Sequence, residues 1–219
     1  SGSGQGPLEL AFATPGTYQL SLQVTENNCQ SGVNTKTVYV FDYPDPSFTI
    51  GTSICMGDTF TAAYTGNAPA TAQYQWTFPG GSLLNGNGQG PLLVEYLNAG
   101  TFFPTLSVTH NGCKSDTSIG VNVKILPTSS FTSQSPFCYQ QFTTLNYNGN
   151  AMPSATYSWL PGTGTIQNGS GQGPISINWP QPGIFTVGLQ VVENGCQSPV
   201  TYDTVEAYQL QATIDVMDA

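Results

Sequence analysis

The chain has 219 residues, 7% of them charged, with 3 Lys plus Arg against 12 Asp plus Glu and a net charge of -9. That shortage of cations excludes nucleic acid, whose binding rests on phosphate neutralisation, and disfavours anionic membrane surfaces. No run of about 18 apolar residues is present, so no direct membrane insertion is expected.

The opening SGSGQGPLEL lacks the basic start and apolar middle of a signal peptide, and the chain is expected to be cut from a longer one. With 38% hydrophobic and 11% aromatic residues, small modules can fill a core.

Taken from the N-terminus, the hexapeptide GSGQGP at 2 to 7 precedes an alternating run, Leu8, Leu10 and Phe12, the pattern of a half-buried strand. A turn at Gly16 and a second alternation, Tyr18, Leu20, Leu22 and Val24, follow. Beyond Pro44 the segments PSFTI, DTFTAAY and AQYQWTF give three strand candidates. GNGQGP at 86 to 91 then introduces Leu92, Val94 and Tyr96, and Phe102, Pro104, Leu106 and Val108 form the next run. Pro104 conflicts with a central strand, because it removes a ladder hydrogen bond, and a local bulge is expected. Asn111 with Gly112 fits a type I′ hairpin turn, in which both central residues need positive φ. The third passage repeats the order: GSGQGP at 169 to 174, then Ile175, Ile177 and Trp179, then Phe185 to Val191, then Asn194 with Gly195.

The repeat organises these elements. Pro7, Pro91 and Pro174 step by 84 and 83 residues, and Cys29, Cys113 and Cys196 step by the same amounts. Trp76 and Trp159 each lie 37 residues before their cysteine. The expected organisation is a truncated module at 1–44, complete modules at 45–127 and 128–210, and the first strand of another at 211–219. Six or seven short strands per module, without helical period, predict an all-β chain of tandem immunoglobulin-like β-sandwiches forming an elongated array.

The glycine hexapeptide is not a phosphate cradle, since a proline and a strand follow it where a helix is needed. Gly4, Gly6, Gly88, Gly90, Gly171 and Gly173 are read as turn residues adopting φ above zero, and Gln5, Gln89 and Gln172 as bonding to local backbone. Trp76 and Trp159 are read as structural core, with a sugar-stacking platform as the alternative.

Cys55 precedes Cys113 by 58 residues, and Cys138 precedes Cys196 by 58. Without a Cys-x-x-Cys motif, these read as disulfides, Cys55 with Cys113 and Cys138 with Cys196, formed in an oxidising compartment. The partner of Cys29 is expected upstream. Buried free thiols are the alternative. Such a crosslink would shield the 58 residues between its ends from tension and stabilise a module by about 4 kcal/mol on the chain-entropy model.

YQWTFPGG (74 to 81) followed by VEYLNAGTFFPTLSVTHNGC (94 to 113) resembles the polycystic-kidney-disease-type (PKD) domain, with its Trp-Asp-Phe-Gly-Asp-Gly motif and later Pro-Gly-Thr-Tyr. TPGTYQLSLQV (14 to 24), YSWLPGTG (157 to 164) and QPGIFTVGLQV (181 to 191) extend the resemblance over nearly the whole chain. Both acidic positions of that motif are missing from residues 76 to 81, so a calcium site is not carried over. Disulfide-bearing modules of this sort look like those arrayed in large surface proteins of gliding, type IX-secreting bacteria, and that resemblance implies an adhesin or its stalk.

His110 aligns with Glu26 and Glu193, and Asp58 with Gln141, so no catalytic, cofactor or metal site repeats and no enzyme activity is expected. Phe103 alternates away from Phe102 and is the better candidate for an outward contact. The expected function is a disulfide-stapled, semi-rigid stalk at the cell surface, stiffened by proline in both joints. Its partners are the neighbouring modules, with surface glycans or other cell-surface proteins as further candidates. The alternative is a carbohydrate- or matrix-binding module of a secreted hydrolase.

Overall fold

The computed structural model describes residues 4–214, and every helix or strand among them is a β-strand. The chain is all-β and folds as tandem immunoglobulin-like β-sandwiches. It gathers into two compact units, one made of the residues up to Gly51 with Thr59–Glu95 and Phe102–Val121. The other is made of Thr52–Asp58, Tyr96–Thr101 and the residues from Asn122 onward. This division cuts across the sequence repeat.

In the first unit, Gly16–Leu22 pairs antiparallel with Asn34–Val40. A four-stranded sheet has the order Phe48–Ile50, Thr59–Tyr64, Leu92–Glu95, Ser82–Asn85. A three-stranded sheet has the order Cys113–Ser118, Thr105–His110, Gln73–Thr77. The alternation read from sequence places Leu106 and Val108 inward, where they bury against Phe48 and Ala68, with Trp76 and Tyr74 partly buried beside them.

The second unit holds most of a short sheet, Gly100–Phe102, Val121–Lys124 and Ser53–Cys55, whose last two strands are parallel. Its four-stranded sheet runs Phe131–Ser133, Thr143–Tyr147, Ile175–Asn178, Thr165–Asn168. Its five-stranded sheet runs Phe137–Cys138, Thr201–Tyr208, Gly183–Glu193, Thr156–Leu160, with Cys196–Gln197 on the end of Gly183–Glu193. Leu145, Ile175, Ile177, Trp179, Val187 and Val205 form its main core.

The structure departs from three local expectations. The alternating run at Leu8 to Phe12 forms no strand, and Leu8 and Leu10 are exposed. In the other repeats the equivalent strand lies between two ladder partners, and residues 8 to 12 have no such flanking strands among the described residues. At Pro104 the strand is interrupted outright: Gly100–Phe102 and Thr105–His110 are separate, whereas Gly183–Glu193 continues unbroken for 11 residues with Val187 in the corresponding place. Finally, residues 211 to 214 form no strand, and the remainder of the expected 211–219 strand lies outside the described residues.

Candidate functional site: a disulfide between successive repeats and the loops around it

Each glycine loop carries a repeated backbone geometry. Gly88 and Gly90 have φ of 55° and 87°, Gly171 and Gly173 of 57° and 93°, and Gly4 and Gly6 of 105° and 76°, with a cis bond before Pro7, Pro91 and Pro174. The loops turn their polar groups inward. The Trp76 indole N–H donates to the Gly88 carbonyl at 2.8 Å, and Trp159 donates to Gly171 at 2.9 Å. Each indole also meets a phenyl ring edge-on, Trp76 with Phe48 at 5.1 Å and Trp159 with Phe131 at 5.4 Å. Gln89 Nε2 donates to the Ala68 carbonyl at 3.0 Å and to Tyr74 Oη at 2.9 Å, and Gln172 Nε2 reaches the Ala151 carbonyl at 3.4 Å. The two carbonyl partners are 21 residues away in sequence and Tyr74 is 15 away, so the contacts are not local.

A tyrosine pair fixes the segment carrying each of those carbonyls. Tyr64 Oη donates to the Asp45 carbonyl at 2.7 Å and accepts from Ala68 N at 2.7 Å. Tyr147 repeats this on Thr128 and Ala151 at 2.9 and 2.7 Å. Tyr74 and Tyr157 stand edge-on to them at 5.0 Å and donate to the carbonyls of Pro69 and Met152. Reading the sequence for motifs did not single out these four residues. The signal was present, since both pairs recur at the 83-residue step.

The hairpin turns preceding the later cysteines have the expected positive φ: 51° and 82° at Asn111 and Gly112, and 52° and 83° at Asn194 and Gly195. Asn27 and Asn28 take 49° and 60° in the first repeat.

The cysteine pairing expected from spacing is overturned. Cys55 bonds to Cys196, at a Cα–Cα distance of 5.6 Å and a sequence separation of 141, while Cys29, Cys113 and Cys138 are free thiols. The reason lies in register. Cys138 pairs with Tyr208, the residue after Ala207, which pairs with Gly183. Cys196 pairs with Glu193, at the other end of the same strand. Across those 11 residues, at about 3.4 Å each, the two thiols of one repeat stand roughly 35 Å apart, far beyond the ~6 Å reach of a disulfide. Cys55 has the same register opposite Lys124, eleven residues downstream of Cys113. Lys124 Nζ also donates to the Asn194 carbonyl at 2.7 Å, and Cys55 Sγ lies 3.9 Å from the Gly195 carbonyl oxygen, so the bond is seated in a polar contact with the turn. All of these groups belong to the second compact unit.

Other candidates are placed as follows. Phe103 is 58% exposed. Asn168, just before the third glycine loop, accepts from Gly169 N at 2.8 Å. His110 pairs with Cys113 at the hairpin end. Among the described residues, no group of three or more His, Cys, Asp or Glu is arranged to hold a metal ion. Asp45 Oδ1 accepts from Ser47 Oγ at 2.6 Å and Ser47 N at 3.0 Å, and these hydrogen bonds hold its carboxyl below the usual carboxylate range.

No family model and no curated protein matches this sequence. Among solved structures the chain is similar to the I-band fragment I67–I69 from titin, at 12% identity over 76% of this chain and 66% of that one, TM-score 0.41. It is also similar to the N-terminal eight Ig domains of Down Syndrome Cell Adhesion Molecule, at 14% identity over 90% and 28%, TM-score 0.45. A third similarity is to the insect immune protein hemolin, at 13% identity over 87% and 55%, TM-score 0.41. The chain spans under two thirds of each, and the likeness extends to the sandwich architecture alone.

Proposed function

We propose that this chain is a structural and adhesive repeat region of a large secreted protein, serving as a disulfide-stapled, semi-rigid stalk outside the cell. The observation that carries the reading is the Cys55–Cys196 bond, which links one sequence repeat to the next instead of closing a single repeat. A bond in that position limits how far the stretches of chain it joins can separate under tension. Proline at both joints, Pro44 and Pro127, adds stiffness. A disulfide also accords with an extracellular setting. The PKD-like motifs around Trp76 and Trp159, and the likeness to surface proteins of gliding bacteria, point to the same use.

Single-molecule stretching from the two termini tests this reading. With the bond intact, the force path crosses from Cys55 to Cys196 and the intervening chain is withheld. Reduction should therefore add a releasable length of about 480 Å, at about 3.4 Å per residue for a span of 141 residues. Equal total extension in oxidised and reduced protein would show that the bond is not formed, and a first-unfolding force unchanged by reduction would show that it bears no load in the folded chain.

A further inference from the structure

We infer that the Cys55–Cys196 bond is one member of a series. The earlier cysteine of each repeat bonds to the later cysteine of the following repeat, so wherever the repeat continues Cys138 takes a cysteine downstream and Cys113 one upstream. The inference deepens the stalk reading but rests on the repeat and on the geometry of one bond.

On the donor side, the two earlier cysteines are placed alike. Cys55 lies opposite Lys124, and Cys138 lies opposite Tyr208 in the same parallel register. Met56 N donates to the Lys124 carbonyl at 2.9 Å, and Tyr139 N donates to the Tyr208 carbonyl at 2.7 Å. Where Cys55 meets the turn before Cys196, Cys138 is exposed in a cleft lined by Tyr139, Gln140, Tyr208, Gln209 and Leu210.

On the acceptor side, the match comes from a separate observation. Cys113 follows the Asn111-Gly112 turn as Cys196 follows Asn194-Gly195, and its thiol donates to the Phe41 carbonyl at 3.9 Å. Phe41 is the counterpart of Tyr208, because Val40 pairs with Gly16 as Ala207 pairs with Gly183. The later cysteine of one repeat thus rests against the residue of the preceding repeat beside which an earlier cysteine stands elsewhere in the chain. Cys29, after the Asn27-Asn28 turn, is a later cysteine of the same kind.

Each bond forms as two thiols give up two electrons and two protons to a small-molecule disulfide, which is released as two thiols by exchange. The span of 141 residues exceeds the 83-residue repeat step, so successive bonds overlap and every point along the array is bridged by at least one of them.

The test is a chain in which residues 212 to 219 are replaced by a further copy of residues 128 to 211. The added later cysteine then stands as far beyond Tyr208 as Cys196 stands beyond Lys124. The protein is folded in reduced and oxidised glutathione, alkylated without reduction, digested and mapped by mass spectrometry. Two links are expected, Cys55 to Cys196 and Cys138 to the added counterpart of Cys196, with Cys29, Cys113 and the added counterpart of Cys138 alkylated. Alkylated Cys138 in the extended chain, or a link from Cys138 to Cys196, overturns the series. A Cys138→Ser version should leave the added later cysteine alkylated, and its diversion to Cys113 would count against the inference. The same mapping on the natural full-length protein reads the links without any folding step. Because mapping reports connectivity alone, a series without load-bearing would appear as the expected links together with a first-unfolding force that reduction leaves unchanged.

Discussion

Cys138 and Cys196, the two cysteines of one repeat, stand at opposite ends of the strand Gly183–Glu193, one beside Tyr208, which follows the partner of Gly183, and the other opposite Glu193. A bond inside the repeat would have to cross the length of the sandwich. The bond that forms instead, Cys55 to Cys196, joins the end at which one repeat finishes to the turn of the next. Tension through such a bond bypasses the strands it spans.

The glycine loop separates two kinds of glycine requirement. At Gly169, with φ of 91°, an added Cβ would stand 2.0 Å from the Pro174 carbonyl oxygen, which is backbone and has no room to yield. At Gly171, with φ of 57°, nothing lies within 4 Å. Gly169→Ala should therefore cost more than about 3 kcal/mol and Gly171→Ala about 1 kcal/mol. Urea midpoints followed by tryptophan fluorescence would measure both, and equal losses would contradict the steric account.

Trp159 serves the loop through its indole N–H as well as its area. Trp159→Phe retains much of the packing on Phe131 but leaves the Gly171 carbonyl without its donor, and should cost about 1 to 2 kcal/mol. Trp159→Ala should cost about 3 to 5 kcal/mol. Thermal melts followed by circular dichroism would rank them, and a Phe variant as damaged as the Ala variant would remove the distinction.

Alkaline pH should loosen the tyrosine-held loops. Burial, the largest cause for both, pushes the phenols of Tyr64 and Tyr157 above their ordinary value of 10.0. The fold thus prefers the neutral phenol. Its contribution is fully present below the unfolded-state value of about 10 and is lost as pH rises through the folded-state value. Titration followed by phenolate absorbance should show a late-titrating fraction that Tyr64→Phe diminishes. A single midpoint at the ordinary value for all tyrosines would refute the assignment.

Pro104 and Val187 occupy corresponding places, one at a strand break and the other inside a continuous strand. Pro104→Val restores a backbone N–H, and its amide should join the ladder and exchange with deuterium at least tenfold more slowly than an exposed loop amide. Fast exchange at position 104 would place the cause of the break elsewhere.

Much of the fold was legible because strand alternation and turn chemistry act over a few residues. Leu106 and Val108 could be assigned to the core, and Asn111 and Asn194 to positive φ, from neighbours alone. The run at Leu8 to Phe12 shows the limit, since the same pattern forms no strand where no ladder partner stands beside it among the described residues. The tyrosine clamp of Tyr64 and Tyr147 leaves no mark in the short-range alternation, because each hydroxyl joins residues 4 and 19 positions away; only its recurrence at the 83-residue step betrays it. What the sequence determined by itself was the repeat, its strands and its turns, because each depends on short-range backbone preference. Only the tertiary structure decided which thiols meet, because a disulfide needs two Cα atoms within a few ångströms, and strand register carried the cysteines of one repeat to opposite ends while bringing Cys55 to 5.6 Å from Cys196.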